Sequence, residues 1–358
     1  MKKIFARLSI FVLILAAIIF IVIVAKNGYT LKTGLDEDGR FTVAMVTDGG
    51  GINDQSFQQS AWEGMQEFAK RTGSRAAYLE SHQTSELQTN MDRFADEKAD
   101  LIWGMGFKLD NAIKWAASVN PELNYAIADF SYGEDTPDNV TCAVFHDEES
   151  SFLVGYIAGL TTKTNAVGFL GGEEGNIVID RFDYGYRAGV AYAAKELGKE
   201  IKVQVQYAAS FSDVAKGKAI AQKMFSECDV VFHAAGGAGV GMIEAAKELG
   251  RYAIGVDLDQ SHLAPANVLT SALKNTGKAV DIISTKILEG EKIGGQTFKY
   301  GLKENAVGIP ENNPNMDHRV YKKAMLLKQR IINEEIVAPD NLAVYEKFMK
   351  ELPNLKIL

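Results

Sequence analysis

The amino-acid sequence predicts an α/β protein with two doubly wound lobes, preceded by one N-terminal transmembrane or signal helix. After residue 40, short β-branched runs alternate with longer amphipathic stretches, which is typical of repeated βα units and a mainly parallel sheet. The alternation contains ten candidate strands, which exceeds the number that one compact doubly wound domain usually holds. A nearly uninterrupted apolar run lies ahead of the first candidate strand.

Length and composition are those of an ordinary globular protein. A chain of 358 residues predicts roughly two domains, at about 150 residues each. The formal net charge of −8 makes the protein a poor ligand for nucleic acid, which requires clustered Lys and Arg, so we expect no nucleic-acid partner. The two cysteines, Cys142 and Cys228, are too far apart for a CxxC redox pair or a zinc knuckle, and we expect both in the core.

The N-terminal segment 1–38 is predicted to direct the chain to the membrane. Residues 8–25 are apolar except for Ser9, and a run of about 17 to 25 such residues can cross a bilayer. The tripeptide ending at Ala25 is a weak cleavage site, which favours an uncleaved signal anchor; the alternative is a secreted or periplasmic protein cleaved after Ala25. Basic residues ahead of the run place the rest of the chain on the extracytoplasmic side.

The candidate strands and helices follow one another along the rest of the chain. Helices are predicted over residues 57–70 and 182–197, where apolar and small residues repeat at helical spacing. Two further helical stretches, 320–336 and 341–352, are expected to pack on the rest of the protein. Residues 147–159, rich in Ser and Gly, suggest a crossover between two lobes of similar size. The candidate strands are residues 41–47, 75–79, 101–103, 125–128, 141–145, 166–170, 202–207, 230–233, 252–256 and 268–273.

A group of polar and aromatic residues follows the ends of these strands. Ligands of open α/β sheets bind in the crevice beyond the carboxyl ends of the strands. Three carboxylates, two aromatic rings and one lysine in this position suit a sugar attached to a heterocycle, since carboxylates accept hydroxyl donors and rings stack on a flat base. The alternative is that each acid caps the helix after it. The segments at strand ends are Asp48 with residues 49–57, then residues 104–107, Asp129, residues 171–172, 236–239, 257–260 and Lys274.

A glycine-rich segment at residues 237–241 imitates a dinucleotide-binding turn. It lies between a predicted strand and a predicted helix over residues 242–249, and Asp257 ends the next strand. The final glycine of that motif would fall at Met242, so we interpret the segment as a turn that approaches some ligand closely. P-loop, HExxH and GxSxG motifs are absent from the sequence, and the five histidines lack metal-ligand spacing. We expect no cofactor and no metal.

Several ordered motifs resemble one protein family. Residues 43–59 and 62–64 resemble the opening of the basic membrane protein family, the purine-nucleoside-receptor type of ABC-transporter substrate-binding protein. The resemblance extends from about residue 41 to about residue 310. Further matching motifs are residues 104–107, 128–129, 182–189, 235–239, 255–260 and 269–274.

The resemblance implies the type I periplasmic binding protein fold, in which two α/β lobes joined by three crossovers close on a ligand. The implied N-terminal lobe consists of residues 39–147 plus about 263–305. The implied C-terminal lobe consists of residues 148–262 plus about 306–358.

The resemblance also implies a binding site. Phe57 and Phe182 would sandwich a purine, while Asp129 and the Asp48 loop, with Asn53 and Gln58, would meet its polar edge. The ribose hydroxyls would be held by three further groups, which are Asp257, Lys274 and the backbone of Gly237.

These features together predict an extracytoplasmic, membrane-tethered receptor that delivers nucleosides to the permease subunits of an ABC transporter. The chain itself is expected to be no enzyme. The alternatives are a ligand sensor for a membrane signalling partner and a dinucleotide-dependent or nucleoside-cleaving enzyme.

Overall fold

A computed structural model describes residues 39–357, and the predicted N-terminal helix lies outside these residues. Twelve strands form two six-stranded sheets within them. The strands are β1 (Thr42–Thr47), β2 (Arg75–Glu80), β3 (Leu101–Met105), β4 (Asn124–Ala128), β5 (Val140–Phe145), β6 (Ala166–Gly171), β7 (Lys202–Tyr207), β8 (Val230–Ala234), β9 (Tyr252–Asp257), β10 (Val268–Lys274), β11 (Thr297–Tyr300) and β12 (Val307–Gly308).

Ten α-helices accompany these strands in the part of the chain that is described. Most connect successive parallel strands, as right-handed βαβ units require. The helices are α1 (Phe57–Thr72), α2 (Thr84–Asp96), α3 (Asp110–Val119), α4 (Asp147–Thr161), α5 (Ile177–Leu197), α6 (Val214–Met224), α7 (Gly236–Leu249), α8 (Thr276–Leu288), α9 (His318–Ile332) and α10 (Leu342–Glu351).

The two sheets define two lobes. The first sheet has the strand order β11-β5-β4-β3-β1-β2, and the second has the order β12-β10-β9-β8-β6-β7. Every pairing is parallel except that of β12 with β10. The chain passes between the sheets three times, after β5, after β10 and after β11. The predicted two-lobe α/β fold of the periplasmic binding protein kind is therefore confirmed.

All ten predicted strands are present, and their ends differ from the prediction by at most two residues. The short edge strands β11 and β12 were not predicted, because four and two residues are too few to show an alternating pattern. Each is recruited to its sheet by pairing with a longer strand.

The Ser- and Gly-rich segment at the first crossing is a buried helix, α4, that packs along α5. Its small residues allow the two backbones to touch. A Cβ atom at Gly155 would lie 2.1 Å from the carbonyl oxygen of Tyr186, and one at Gly189 would lie 2.0 Å from that of Phe152. The composition that suggested a crossover thus also serves close helix packing at the crossing.

One part of the expected lobe boundaries differs from the strand pairing. Residues 263–305 were assigned to the first lobe, but β10 pairs with β9 in the second sheet. The chain returns to the first sheet only afterwards, through α8, which packs on α1, and through β11. We therefore propose that this crossing lies near Asn275, while the other boundaries remain predictions.

Candidate functional site

The carboxyl ends of the parallel strands in both sheets face a cleft between the lobes. Seven of the nine predicted site residues line it. Asn53 is exposed and Gly237 is replaced in the lining by its neighbour Gly236, so the structure does not bring these two into the cleft. The lining residues are Asp48, Gly50, Asp54, Phe57, Gln58, Gly106, Phe107, Asp129, Val178, Ile179, Phe182, Phe211, Ala234, Gly236, Val256, Asp257 and Lys274.

Asp48 begins the first-lobe side of the cleft, directly after β1. Its carboxylate accepts hydrogen bonds from the backbone N–H of Gly50 at 3.3 Å and from Gln58 Nε2 at 2.9 Å. Burial raises the pKa of Asp48, and these donors act against that shift. Gln58 also donates to the carbonyl oxygen of Met105 at 3.2 Å. The two residues are therefore oriented by the protein before any ligand arrives.

Asp54 shows that the capping alternative is realised in this loop. Its carboxylate accepts from the backbone N–H groups of Ser56 at 2.9 Å, Gln58 at 3.0 Å and Gln59 at 3.0 Å, at the start of α1. Burial raises the pKa of Asp54 to about 7. Sequence reasoning placed Asn53 in the site, whereas the neighbouring Asp54 is the side chain that faces the cleft.

Lys274 is the central cation of the site and is 1% exposed. Its Nζ lies 2.7 Å from the Asp129 carboxylate and 3.2 Å from that of Asp147. The same atom lies 5.2 Å from the ring centroid of Phe57 and 5.6 Å from that of Phe182. Burial alone would lower the pKa of Lys274, but the surrounding carboxylates raise it. Lys274 therefore remains a cation that links the end of β10 to the first lobe.

Asp257, the last residue of β9, and Asp129, the residue directly after β4, have the same unusual backbone conformation on opposite lobes. Their φ angles are 63° and 65°, in the left-handed region that Asp adopts more readily than most residues. Ser56 Oγ donates a hydrogen bond to Asp257 across the cleft. Burial raises the pKa of Asp257 to about 6, although Lys274 opposes that shift. Lys274 Nζ lies 2.7 Å from the carboxylate of Asp129. Because each carboxylate oxygen has two lone pairs, Asp129 can still accept a donor from a ligand.

The second-lobe side of the cleft is mostly apolar. Val178, Ile179 and Phe182 come from the first turns of α5, and Phe211 comes from the loop after β7. Sequence reasoning identified only Phe182 among these. Phe211 follows a strand end like the other site residues, so the same criterion could have identified it.

The mouth of the cleft is closed by contacts between the lobes. Lys108 Nζ lies 2.6 Å from Glu173 Oε1 and 5.1 Å from the ring centroid of Phe211. The rings of Phe107 and Phe211 meet edge to face, with centroids 6.2 Å apart. The lobes are therefore in a closed arrangement.

The prediction of a turn at residues 237–241 is wrong. These residues lie in the first turns of helix α7, which begins at Gly236. A Cβ atom at Gly239 would lie 1.8 Å from Nδ1 of His233, and one at Gly241 would lie 2.0 Å from the carbonyl oxygen of Val214. None of these five residues lines the cleft; the preceding Gly236, with φ of 52°, does. These glycines allow close packing on β8 and α6, so a dinucleotide is not needed to explain them.

The described part of the chain contains neither a candidate metal site nor a candidate membrane-spanning helix. Residues 39–357 contain no group of three His, Cys, Asp or Glu side chains that could hold a metal ion. No helix in this range is both long and apolar enough to cross a bilayer.

Comparison with known proteins identifies the family. Residues 41–342 match the family model described as Bmp, ABC transporter substrate-binding protein PnrA-like. Basic membrane protein A of Borreliella burgdorferi is 42% identical over 314 residues, which cover 86% of this chain and 91% of that protein. The CD4+ T-cell-stimulating antigen of Listeria innocua is 41% identical over 332 residues, covering 86% of this chain and 91% of the antigen.

Solved structures share the fold. An ABC transporter solute-binding protein from Aeropyrum pernix superposes with a TM-score of 0.78 at 24% identity, covering 88% of this chain and 98% of that chain. A solute-binding protein from Conexibacter woesei superposes with a TM-score of 0.68 at 20% identity, covering 84% and 98% respectively. Solute-binding proteins of ABC transporters act outside the cytoplasm, bind a small ligand and work with permease partners; they are not enzymes. The chain belongs to the Bmp family of PnrA-like ABC transporter substrate-binding proteins.

Proposed function

We propose that this protein captures a nucleoside, with a purine base, between its two lobes and delivers it to an ABC permease without altering it chemically. The observation that carries the proposal is the pair of rings in the cleft. Phe57 of the first lobe and Phe182 of the second both line the same cavity and both lie within 5.6 Å of Lys274 Nζ. Two rings on opposite lobes can hold a flat base between them when the lobes close.

The polar groups around the rings suit the rest of a nucleoside. Asp129 and Asp257 lie at the carboxyl ends of β4 and β9, on opposite sides of the cleft, and a carboxylate can accept two hydroxyl or amine donors at once. Lys274 beside them can donate to a ligand oxygen and balances part of their charge.

The charge of the lining favours a neutral nucleoside over a nucleotide or a dinucleotide. Four carboxylates line the cleft, and Lys274 is the single Lys or Arg among the lining residues that are described. Phosphate groups would meet these carboxylates at short distance in a poorly solvated site, where like charges repel strongly.

Delivery follows from lobe closure. A ligand that touches both lobes stabilises the closed arrangement, and a permease that recognises closed lobes then receives loaded protein in preference to empty protein. Residues 8–25, which lie outside the described part of the chain, would tether the receptor to the membrane. Full-length protein should then remain in the membrane fraction with Met1 or Lys2 at its N-terminus; a mature start at Lys26 contradicts the tether.

The test of the function is to identify the ligand directly. Full-length protein purified in mild detergent is denatured, and the released small molecules are identified by mass spectrometry. The same protein is titrated calorimetrically with guanosine, adenosine, inosine, a nucleoside monophosphate and NAD, while release of free base is assayed. Tight nucleoside binding without turnover supports the proposal. Preference for NAD or for the monophosphate, or steady release of base, refutes it.

Delivery is tested separately in cells. Deleting the gene should abolish uptake of the nucleoside that the protein binds. Normal uptake combined with loss of a transcriptional response to the nucleoside would instead support a ligand sensor.

A further inference from the structure

Gln260 is a fully buried amide at the boundary between the lobes, outside the lining of the ligand cleft. It begins the short 3-10 helix Gln260–Leu263 that follows β9 in the second lobe. Its Nε2 donates a hydrogen bond of 2.8 Å to the backbone carbonyl oxygen of Gln55, in the first-lobe loop before α1. A buried amide of one lobe is thus bonded to the backbone of the other.

The other end of the same amide is held entirely within the second lobe. Gln260 Oε1 accepts from the backbone N–H of Val256 at 3.0 Å and lies 2.9 Å from His233 Nε2. His233 is fully buried, and burial lowers its pKa to about 4, so the ring is neutral at pH 7. Because Oε1 can only accept, the proton of the ring must be on Nε2. These two bonds orient the amide so that its NH₂ group points at the first lobe.

We propose that Gln260 is a latch that stabilises the closed arrangement of the lobes. When the lobes separate, Oε1 keeps both of its second-lobe partners, whereas Nε2 loses the carbonyl of Gln55. Since none of these bonds includes a ligand atom, the latch favours closure in empty protein as well as in loaded protein. The inference rests on the two-lobe binding mechanism proposed above, and it does not depend on which ligand is bound.

The position of the latch distinguishes it from the exposed contact beside it. His262 Nε2 lies 3.0 Å from Gln55 Oε1, but His262 is exposed, so water can replace its partner when the lobes open. The Gln260 amide is oriented by buried partners, and its lost bond must be re-formed with water that has to enter the boundary. Breaking the Gln260 bond therefore changes the closure equilibrium more than breaking the His262 bond.

The discriminating variant is Gln260→Glu. A glutamate keeps an acceptor oxygen for Val256 and His233, but it places a second acceptor opposite the Gln55 carbonyl in place of the donor. The matched controls are Gln296→Glu, the same substitution at an exposed site, and His262→Ala.

Lobe closure is measured in full-length protein by electron spin resonance distances between nitroxide labels at Asn111→Cys and Lys216→Cys. Both positions are exposed. Asn111 lies in α3 of the first lobe, directly after the segment that contains Phe107, and Lys216 lies in α6 of the second lobe, directly after the loop that contains Phe211. The native Cys142 and Cys228 are buried and escape labelling.

Without ligand, the wild type should show a closed population, and Gln260→Glu should lower the ratio of closed to open molecules by about three- to tenfold, the worth of one hydrogen bond. Both controls should stay within about twofold of the wild type. With guanosine as the probe, dissociation from Gln260→Glu should accelerate by a similar factor while association is unchanged. If Gln260→Glu does not fold, Gln260→Asn, whose amide is too short to reach Gln55, is measured in its place.

The proposal is overturned if the closed-to-open ratio of the variant matches the wild type, if His262→Ala has an equal effect, or if empty wild-type protein has no closed population. If guanosine and the other nucleosides fail to bind wild-type protein, the proposed function fails. The label distances measured without ligand still test whether Gln260 stabilises the closed arrangement.

Discussion

The two walls of the cleft are chemically unlike. The first-lobe wall presents the carboxylates of Asp48, Asp54 and Asp129 on loops, and the amide of Gln58 in the first turn of α1. The second-lobe wall is built largely from apolar side chains, whose members are Val178, Ile179, Phe182, Phe211, Ala234 and Val256. Its two charged members, Asp257 and Lys274, lie at strand ends and make contacts with the first lobe.

This difference suggests that the first wall recognises the polar groups of the ligand, while the second wall encloses it. The polar groups of the first wall are already oriented, since Asp48 and Gln58 bond to each other and Asp54 is held by three backbone N–H groups. The apolar wall offers fewer directional contacts, but on closure it excludes water and thereby strengthens the electrostatic interactions opposite. We therefore expect changes at charged groups that join the walls to have the largest effects.

The strongest test of this comparison is Lys274→Met. The substitution removes the cation that joins the walls and leaves the buried carboxylates of Asp129 and Asp147 without it. Removing one partner of a buried pair costs about 3 to 5 kcal/mol, so the free energy of unfolding should fall by that amount in urea denaturation. The exposed Lys303→Met is the control and should change stability by less than about 0.5 kcal/mol. Equal stability of both variants would show that the pair does not hold the walls together.

Asp257→Ala tests recognition by a carboxylate of the second lobe. Losing a hydrogen bond to a charged group costs about 1.5 to 3 kcal/mol, which corresponds to a loss of roughly tenfold to a hundredfold in nucleoside affinity. The free base has no ribose hydroxyls and should lose less. Calorimetric titration with guanosine and with guanine measures the loss of affinity for the nucleoside and for the free base. Equal losses would show that Asp257 does not contact the ribose.

Removing one ring from each wall compares their shares in base binding. Phe57→Ala and Phe182→Ala should each weaken nucleoside binding at least about tenfold, because each loses apolar contact and a stacking contribution of about 0.5 to 1.5 kcal/mol. Trp115→Ala is the control, since this ring is 56% exposed on α3. Unchanged affinity in both cleft variants would mean that the base lies elsewhere.

The last prediction concerns the pH dependence of stability, which reports on two carboxylates of the cleft rather than on the ligand. Asp54 and Asp257 have folded-state pKa values raised to about 7 and about 6, above the unfolded value of 3.8. The folded protein thus binds more protons, so this contribution to stability is fully present below about pH 4 and is lost as pH rises through 6 to 7, with a slope of at most about 1.4 kcal/mol per pH unit per group.

The variant Asp54→Asn should flatten that dependence, since an amide can still cap α1 but does not titrate. Urea denaturation from pH 4.5 to 7.5 measures the difference, with Asp213→Asn at the exposed cap of α6 as the control. Parallel curves for wild type and Asp54→Asn would indicate that Asp54 stays ionised throughout.

The positions of the strands and most of the candidate site could be predicted because both depend on local patterns. Alternation of β-branched runs with amphipathic stretches predicted ten of the twelve strands in the described residues, and the rule that ligands bind beyond strand ends identified Asp48, Asp129, Asp257 and Lys274. The roles of these residues as ligand contacts remain predictions. Asn53 was chosen instead of its neighbour because one residue decides which side chain of a loop faces inward, and no periodic pattern describes a loop.

The sequence by itself determined the alternation of elements, the family and the edge of each sheet at which the polar residues lie. Only the tertiary structure decided which of them meet. Lys274 contacts Asp129, which is 145 residues away along the chain, and Gln260 donates a hydrogen bond to Gln55, which is 205 residues away along the chain. Such pairs depend on how two separately wound sheets face each other across three crossings. Hydrophobic periodicity specifies which face of an element is buried, but it carries no information about which distant side chain lies opposite.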